Sequence, residues 1–172
     1  MAEHETTLQD FTPPEDGYDL VWATHALYAV PGPELDAAMA RFAAAIAPGG
    51  LGVIAHSAAA GHYIEFHRRW LAAFDPAGVP YVSAEALGEG LRKAGLSPEI
   101  EHVRYGSTAG SPDTAAVEGY LQRCVFDDRA DLATMWATDP VAPYLTRCRG
   151  DDGWHFPQHV WLLTVTGRET PC

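Results

Sequence analysis

Polar and apolar residues alternate over Tyr18-Asp19-Leu20-Val21-Trp22-Ala23-Thr24, and this pattern predicts a β-strand. Pro13-Pro14-Glu15-Asp16-Gly17 leads into it as a turn. After Pro31-Gly32-Pro33, apolar residues at Leu35, Ala38, Met39, Phe42 and Ile46 recur at helical spacing, which predicts a helix over 34–47. Pro48-Gly49-Gly50 stops that helix, and the nearly all-apolar run 51–56 predicts a strand covered on both faces. Helices are predicted over 62–74 and, with Ser83 as N-cap and Gly95 as terminator, over 84–93.

The second half continues in the same style. A strand is predicted over 99–105, a helix opened by Ser111-Pro112-Asp113 that runs to about Val125, and a helix over 129–147 broken near Asp139-Pro140. A final strand covers 158–166. The alternation of strands and helices predicts an α/β fold with a largely parallel sheet. The layout is an N-terminal segment 1–17, one domain over 18–167, and a tail 168–172.

Charge narrows the partners. The 172 residues carry 23 acidic and 11 basic side chains, a formal net charge of −12. That balance argues against nucleic acid, whose affinity rests on Lys and Arg neutralising phosphates. The cysteines, Cys124, Cys148 and Cys172, show no short paired spacing, which points to free thiols in a reducing cytoplasm. Residues 1–12 are too acidic and polar for a signal peptide, and no apolar run reaches the ~18 residues of a membrane span.

The string Tyr18 to Val30, an amphipathic helix, and then Ala47-Pro48-Gly49-Gly50-Leu51-Gly52-Val53-Ile54 resembles class I S-adenosylmethionine (SAM)-dependent methyltransferases. His25-Ala26-Leu27-Tyr28-Ala29-Val30 and Phe156-Pro157-Gln158-His159-Val160-Trp161-Leu162 are similar to the subgroup around histamine N-methyltransferase. The resemblance spans residues 7–167 and implies a partial Rossmann-like methyltransferase sheet, equivalent to strands four to seven, with flanking helices.

It implies an incomplete site as well. The family's first three strands, its Gly-x-Gly loop and its ribose-gripping acid find no counterpart here. Gly49-Gly50-x-Gly52 precedes a strand, and Gly88-x-Gly90 lies inside a helical pattern, so neither cradles a ligand. The resemblance places Asp10 and Thr24 beside any SAM, which is bound only if a partner completes the site. Strand 18–24 then becomes an exposed edge that invites pairing. The missing half is supplied by another polypeptide, two copies join edge to edge as a homodimer, or the sequence is a piece of a longer chain.

The carboxyl ends of parallel strands are where α/β proteins place their sites. His25 lies just past the first such end, with a near-neutral unperturbed pKa that suits a general base; capping the strand is its alternative role. Tyr28, Trp154 and Phe156 form an expected aromatic wall, and Gln158 and His155 add polar groups beside His25. Such a pocket suits an amine or heteroaromatic small molecule. His56 either lines that pocket or packs at a strand end. His62 and His67 point about 140° apart on one helix, so with Glu65 they make no metal site.

Three functions remain open: a small-molecule methyltransferase lobe completed by a partner, a SAM-independent cyclase, lyase or isomerase using histidine acid/base chemistry, and a non-catalytic partner of a full-length methyltransferase.

Overall fold

A computed structural model describes residues 5–110 and 114–168 of the chain. The elements are β1 (Tyr18–Thr24), a 3-10 turn (Gly32–Glu34), α1 (Leu35–Ala44), β2 (Ile46–Ser57), α2 (His62–Phe74) and α3 (Ala84–Lys93). They continue with β3 (Glu99–Gly110), α4 (Thr114–Val125), α5 (Leu132–Ala137), α6 (Val141–Cys148), β4 (Arg149–Gly150) and β5 (Gly153–Thr166). Among the described residues the sheet order is β1-β2-β5-β3, with β4 paired to β5. The expected helix-opening residues Ser111-Pro112-Asp113 lie outside the described residues, as does Cys172.

The chain divides into two compact units. One gathers the residues up to His56, Val82–His102 and the stretch from Trp161; the other holds Ser57–Tyr81 and Val103–Val160. In the first unit β1 pairs with β2 in parallel, Leu20 facing Leu51 and Thr24 facing Ala55. The register slips between Tyr18, which faces Ile46, and Leu20. Pro48-Gly49-Gly50 takes up that slip, with Gly49 at φ 73° where a side chain would be strained. So α1 ends at Ala44 rather than Ala47, and the strand resumes before the Pro-Gly-Gly segment instead of after it.

Val21 and Ala23 of β1 pack toward a core of Met39, Phe42, Ile54, Leu87, Leu91 and Leu163. On the alternate positions Tyr18, Leu20 and Trp22 stay 41%, 54% and 62% exposed. α3 lies close against α1 because Gly90 has no side chain: a Cβ there would sit 2.6 Å from Met39 Cγ. Ser83 stands at the N-cap of α3 in extended conformation but donates and accepts no side-chain capping bond.

The second unit is built on an aromatic core that includes Phe66, Trp70, Tyr144, Trp154 and Phe156. The helix expected over 129–147 is two helices, α5 and α6, parted at Asp139-Pro140. Asp131 caps α5 by accepting the Thr134 N–H at 2.7 Å. β5 begins at Gly153, well before Gln158, because β4 pairs antiparallel with its start, Arg149 facing Trp154. Among the described residues no helix is long and apolar enough to cross a membrane.

Candidate functional site

In the first unit the chain leaves β1 through His25, whose backbone is left-handed at φ 49°. A side chain in that region costs about 1–2 kcal/mol, and such strained positions gather at functional sites. The His25 N–H donates to the Ala55 carbonyl at 2.9 Å, carrying the parallel pairing one residue past the strand. Its Nδ1 lies 2.7 Å from the Tyr28 hydroxyl, with the rings stacked at 5.9 Å and 11°.

β2 delivers a second histidine to the same place. The His56 ring centroid is 4.1 Å from that of Tyr28 and 6.3 Å from that of His25. His56 Nε2 lies 3.0 Å from the Val82 carbonyl, which can only accept, so this nitrogen carries the proton. Nδ1 is therefore the basic nitrogen, and it is buried with no hydrogen-bond partner among the described residues. Leaving such an acceptor unmet costs about 1–3 kcal/mol. A donor from a bound molecule would recover it.

Burial lowers the pKa of His25 below 6.5. It drives His56 down to about 4, outweighing the Val82 hydrogen bond and the nearby Glu85 charge. Both imidazoles are thus neutral at pH 7, and burial makes His56 a hydrogen-bond acceptor that resists protonation.

In the second unit β5 alternates. Trp154, Phe156, Gln158 and Val160 are buried, while His155 is exposed on the opposite set of positions. Gln158 donates from Nε2 to Ser107 Oγ at 3.2 Å and to the Tyr120 hydroxyl at 3.1 Å. Its Oε1 is buried without a hydrogen-bond partner. Phe156 packs within 4.7 Å of the His62 ring and 4.9 Å of the Tyr120 ring, as core. His62 itself is fully buried between the Tyr144 hydroxyl at 2.7 Å and Cys124 Sγ at 3.6 Å. Burial lowers its pKa to about 3 and raises that of Cys124 to about 12, which leaves a neutral imidazole and an unreactive thiol.

The structure thus brings together His25 and Tyr28, and separately Phe156 and Gln158. His155 turns away to pair with Asp152 at 2.7 Å in the β4–β5 hairpin. Ser107 and Tyr120, which hold Gln158, carry no signal in the sequence because their spacing fits an ordinary strand and helix. His56 gave only the weak signal of ending a parallel strand. No group of His, Cys, Asp and Glu among the described residues is placed to hold a metal.

The residues aligned with a SAM site are engaged elsewhere. Asp10 is exposed and accepts the Thr7 hydroxyl at 2.6 Å, and Thr24 is exposed beside the Trp22 indole N–H. Gly61, which precedes α2, faces filled space: a Cβ there would lie 2.7 Å from Ser57 Oγ and 2.8 Å from the His159 carbonyl. Gly32 is open but flanked by Pro31 and Pro33, which have no N–H to offer. The described residues alone do not fit SAM.

Element order and sheet topology define a mixed α/β protein of the Rossmann-like methyltransferase type. The Methyltransferase domain family matches residues 1–100, and the chain belongs to that family. A structure from Bacillus halodurans, provisionally assigned as a methyltransferase, superposes with a TM-score of 0.62 at 12% identity, covering 95% of this chain and 70% of that one. The YcgJ protein of Bacillus subtilis gives 0.61 at 13% identity, covering 97% and 71%. No curated protein matches the chain in sequence.

Proposed function

We propose that this sequence forms the substrate-binding lobe of a small-molecule methyltransferase, with residues outside it, on a second copy, a different chain or a further segment of the same protein, completing the SAM site. The observation that carries this reading is β1. It ends the sheet order, and its Tyr18, Leu20 and Trp22 are exposed by 41–62%. Unpaired edges of that composition recruit another strand.

The substrate class rests on the polar atom left unmet beside His25 and Tyr28, the acceptor His56 Nδ1. A molecule bearing N–H groups, such as an amine or heteroaromatic, satisfies acceptors of this kind. Histamine-methyltransferase-like kinship, suggested by the residues around His25 and Gln158, fits that class. His25, neutral at pH 7, is the candidate base that a protonated amine needs before it can act as a nucleophile, whereas His56, at about 4, serves as a hydrogen-bond acceptor. SAM, when bound, supplies the methyl group. The purified chain incubated with labelled SAM and a panel of arylalkylamines is expected to transfer no label alone; turnover by the isolated chain overturns the partner requirement.

A second reading rests on the strained His25, its Tyr28 hydroxyl partner and the orphan nitrogen of His56. That trio suits SAM-independent proton transfer, as in a cyclase, lyase or isomerase. Activity without SAM that disappears in His25→Ala would select it.

A further inference from the structure

The second unit holds a cavity of about 460 Å³ that shares only Trp154 with the substrate pocket expected from the sequence. Its size falls in the range of small-molecule pockets, roughly 300–1,000 Å³. α4 contributes Glu118, the start of α5 contributes Asp131 and Leu132, and Trp136, Arg149 and Trp154 join them in the lining.

Two indoles form a corner: the Trp136 and Trp154 rings are 5.4 Å apart at 57°. Trp154 is buried, whereas Trp136 remains 39% exposed. The exposed Trp136 ring is an aromatic face that gains on being covered.

Charge decides what covers it. Glu118 Oε2 accepts the Leu132 N–H at 2.7 Å and Asp131 Oδ1 accepts the Thr134 N–H at 2.7 Å, so both carboxylates are held in place. The bonds from Thr134 keep the Asp131 carboxyl below its usual pKa, hence ionised at neutral pH. Among the described lining residues the one cation, Arg149, already lies over the Trp154 ring at 5.5 Å. Two carboxylates against one guanidinium leave the wall with one net negative charge, on a chain that is itself acidic.

We infer that this cavity binds an arylalkylammonium: a flat ring against the Trp136–Trp154 corner, with its ammonium group toward Glu118 and Asp131. The volume is far more than a bare ammonium headgroup fills, which favours a cation carrying a ring. The aromatic faces add cation–π attraction. The ligand class rests on the amine reading of the proposed function, but its place is a cavity away from His25, Tyr28 and His56 in sequence, and binding there is read without SAM or methyl transfer.

Calorimetric titration of the full chain with tryptamine, indole-3-acetate and n-butylamine tests the inference. Tryptamine is expected to bind saturably, with the other two weaker by about tenfold or more. Trp136→Ala and Glu118→Gln should each weaken tryptamine by about tenfold, and Arg149→Met should tighten it, because the opposing charge is gone. Thermal melting confirms that each variant is folded; should Trp136→Ala or Glu118→Gln not fold, Arg149→Met decides. Absence of saturable tryptamine heat, equal binding of indole-3-acetate, or an Arg149→Met variant no tighter than the parent overturns it.

Discussion

His25 Nδ1 and the Tyr28 hydroxyl meet at 2.7 Å across a turn that leaves His25 with a left-handed backbone. The pair is local in sequence, yet its environment is not: His56 arrives from β2 to stack on Tyr28 at 4.1 Å. The His25 side chain remains exposed, and partial desolvation beside Tyr28 and His56 lowers its pKa below 6.5. In a proton-detected imidazole titration His25 should therefore change state below pH 6.5, and His56 near pH 4. A His25 midpoint at or above 6.5 would show that the ring is solvated and the cluster open.

The same burial makes the fold acid-sensitive. His56, His62 and His67 are buried, and desolvation takes their pKa values to about 4, 3 and 4. Unfolded, each titrates near 6.5, so between that value and about 4 the unfolded chain binds more protons than the folded one. Stability is then complete above pH 6.5 and falls as pH drops through that window, by on the order of 3 kcal/mol per histidine at the acid end. Urea unfolding at pH 7 and pH 5 should show a lower midpoint at pH 5. Equal midpoints contradict these burials.

Gly17 sets the entry into β1. Its φ is 70°, and a Cβ there would lie 2.6 Å from the Ala47 nitrogen. Gly17→Ala combines left-handed strain with a backbone clash, and a loss of about 2 kcal/mol or more is expected in chemical denaturation. A neutral substitution would mean that the turn before β1 is free to rearrange.

Trp22 is 62% exposed at the middle of β1. Without a partner on that edge, the purified chain should self-associate as its concentration rises, by light scattering. Trp22→Glu should abolish the association while changing stability by no more than about 0.5 kcal/mol. A parent chain that stays monomeric at high concentration argues against edge pairing.

How far the pattern of residues anticipates these features depends on the range of the interactions. β1 and α2 match their expected spans, Tyr18–Thr24 and His62–Phe74, because alternation, flanking turns and helical spacing are all local there. The early start of β5 is hidden by Pro157 and by a partner strand of only two residues, Arg149–Gly150. The slip at Pro48-Gly49-Gly50 reads as a helix stop until β1 is laid beside it. The site divides the same way. His25 and Tyr28 are neighbours on one turn and legible as such, whereas Gln158 is held by Ser107 and Tyr120, 51 and 38 residues away. His155 and Phe156 are adjacent in sequence but fall on opposite faces of β5, one exposed and one in the core.

Titration of SAM into the purified chain is the most direct test that it is a lobe in need of a partner. Asp10 and Thr24 are exposed with only local hydrogen bonds, and neither Gly32 nor Gly61 forms a cradle. The account predicts no saturable heat up to about 1 mM SAM, which corresponds to less than about 4 kcal/mol of binding free energy. Micromolar binding of SAM by this chain alone would contradict it.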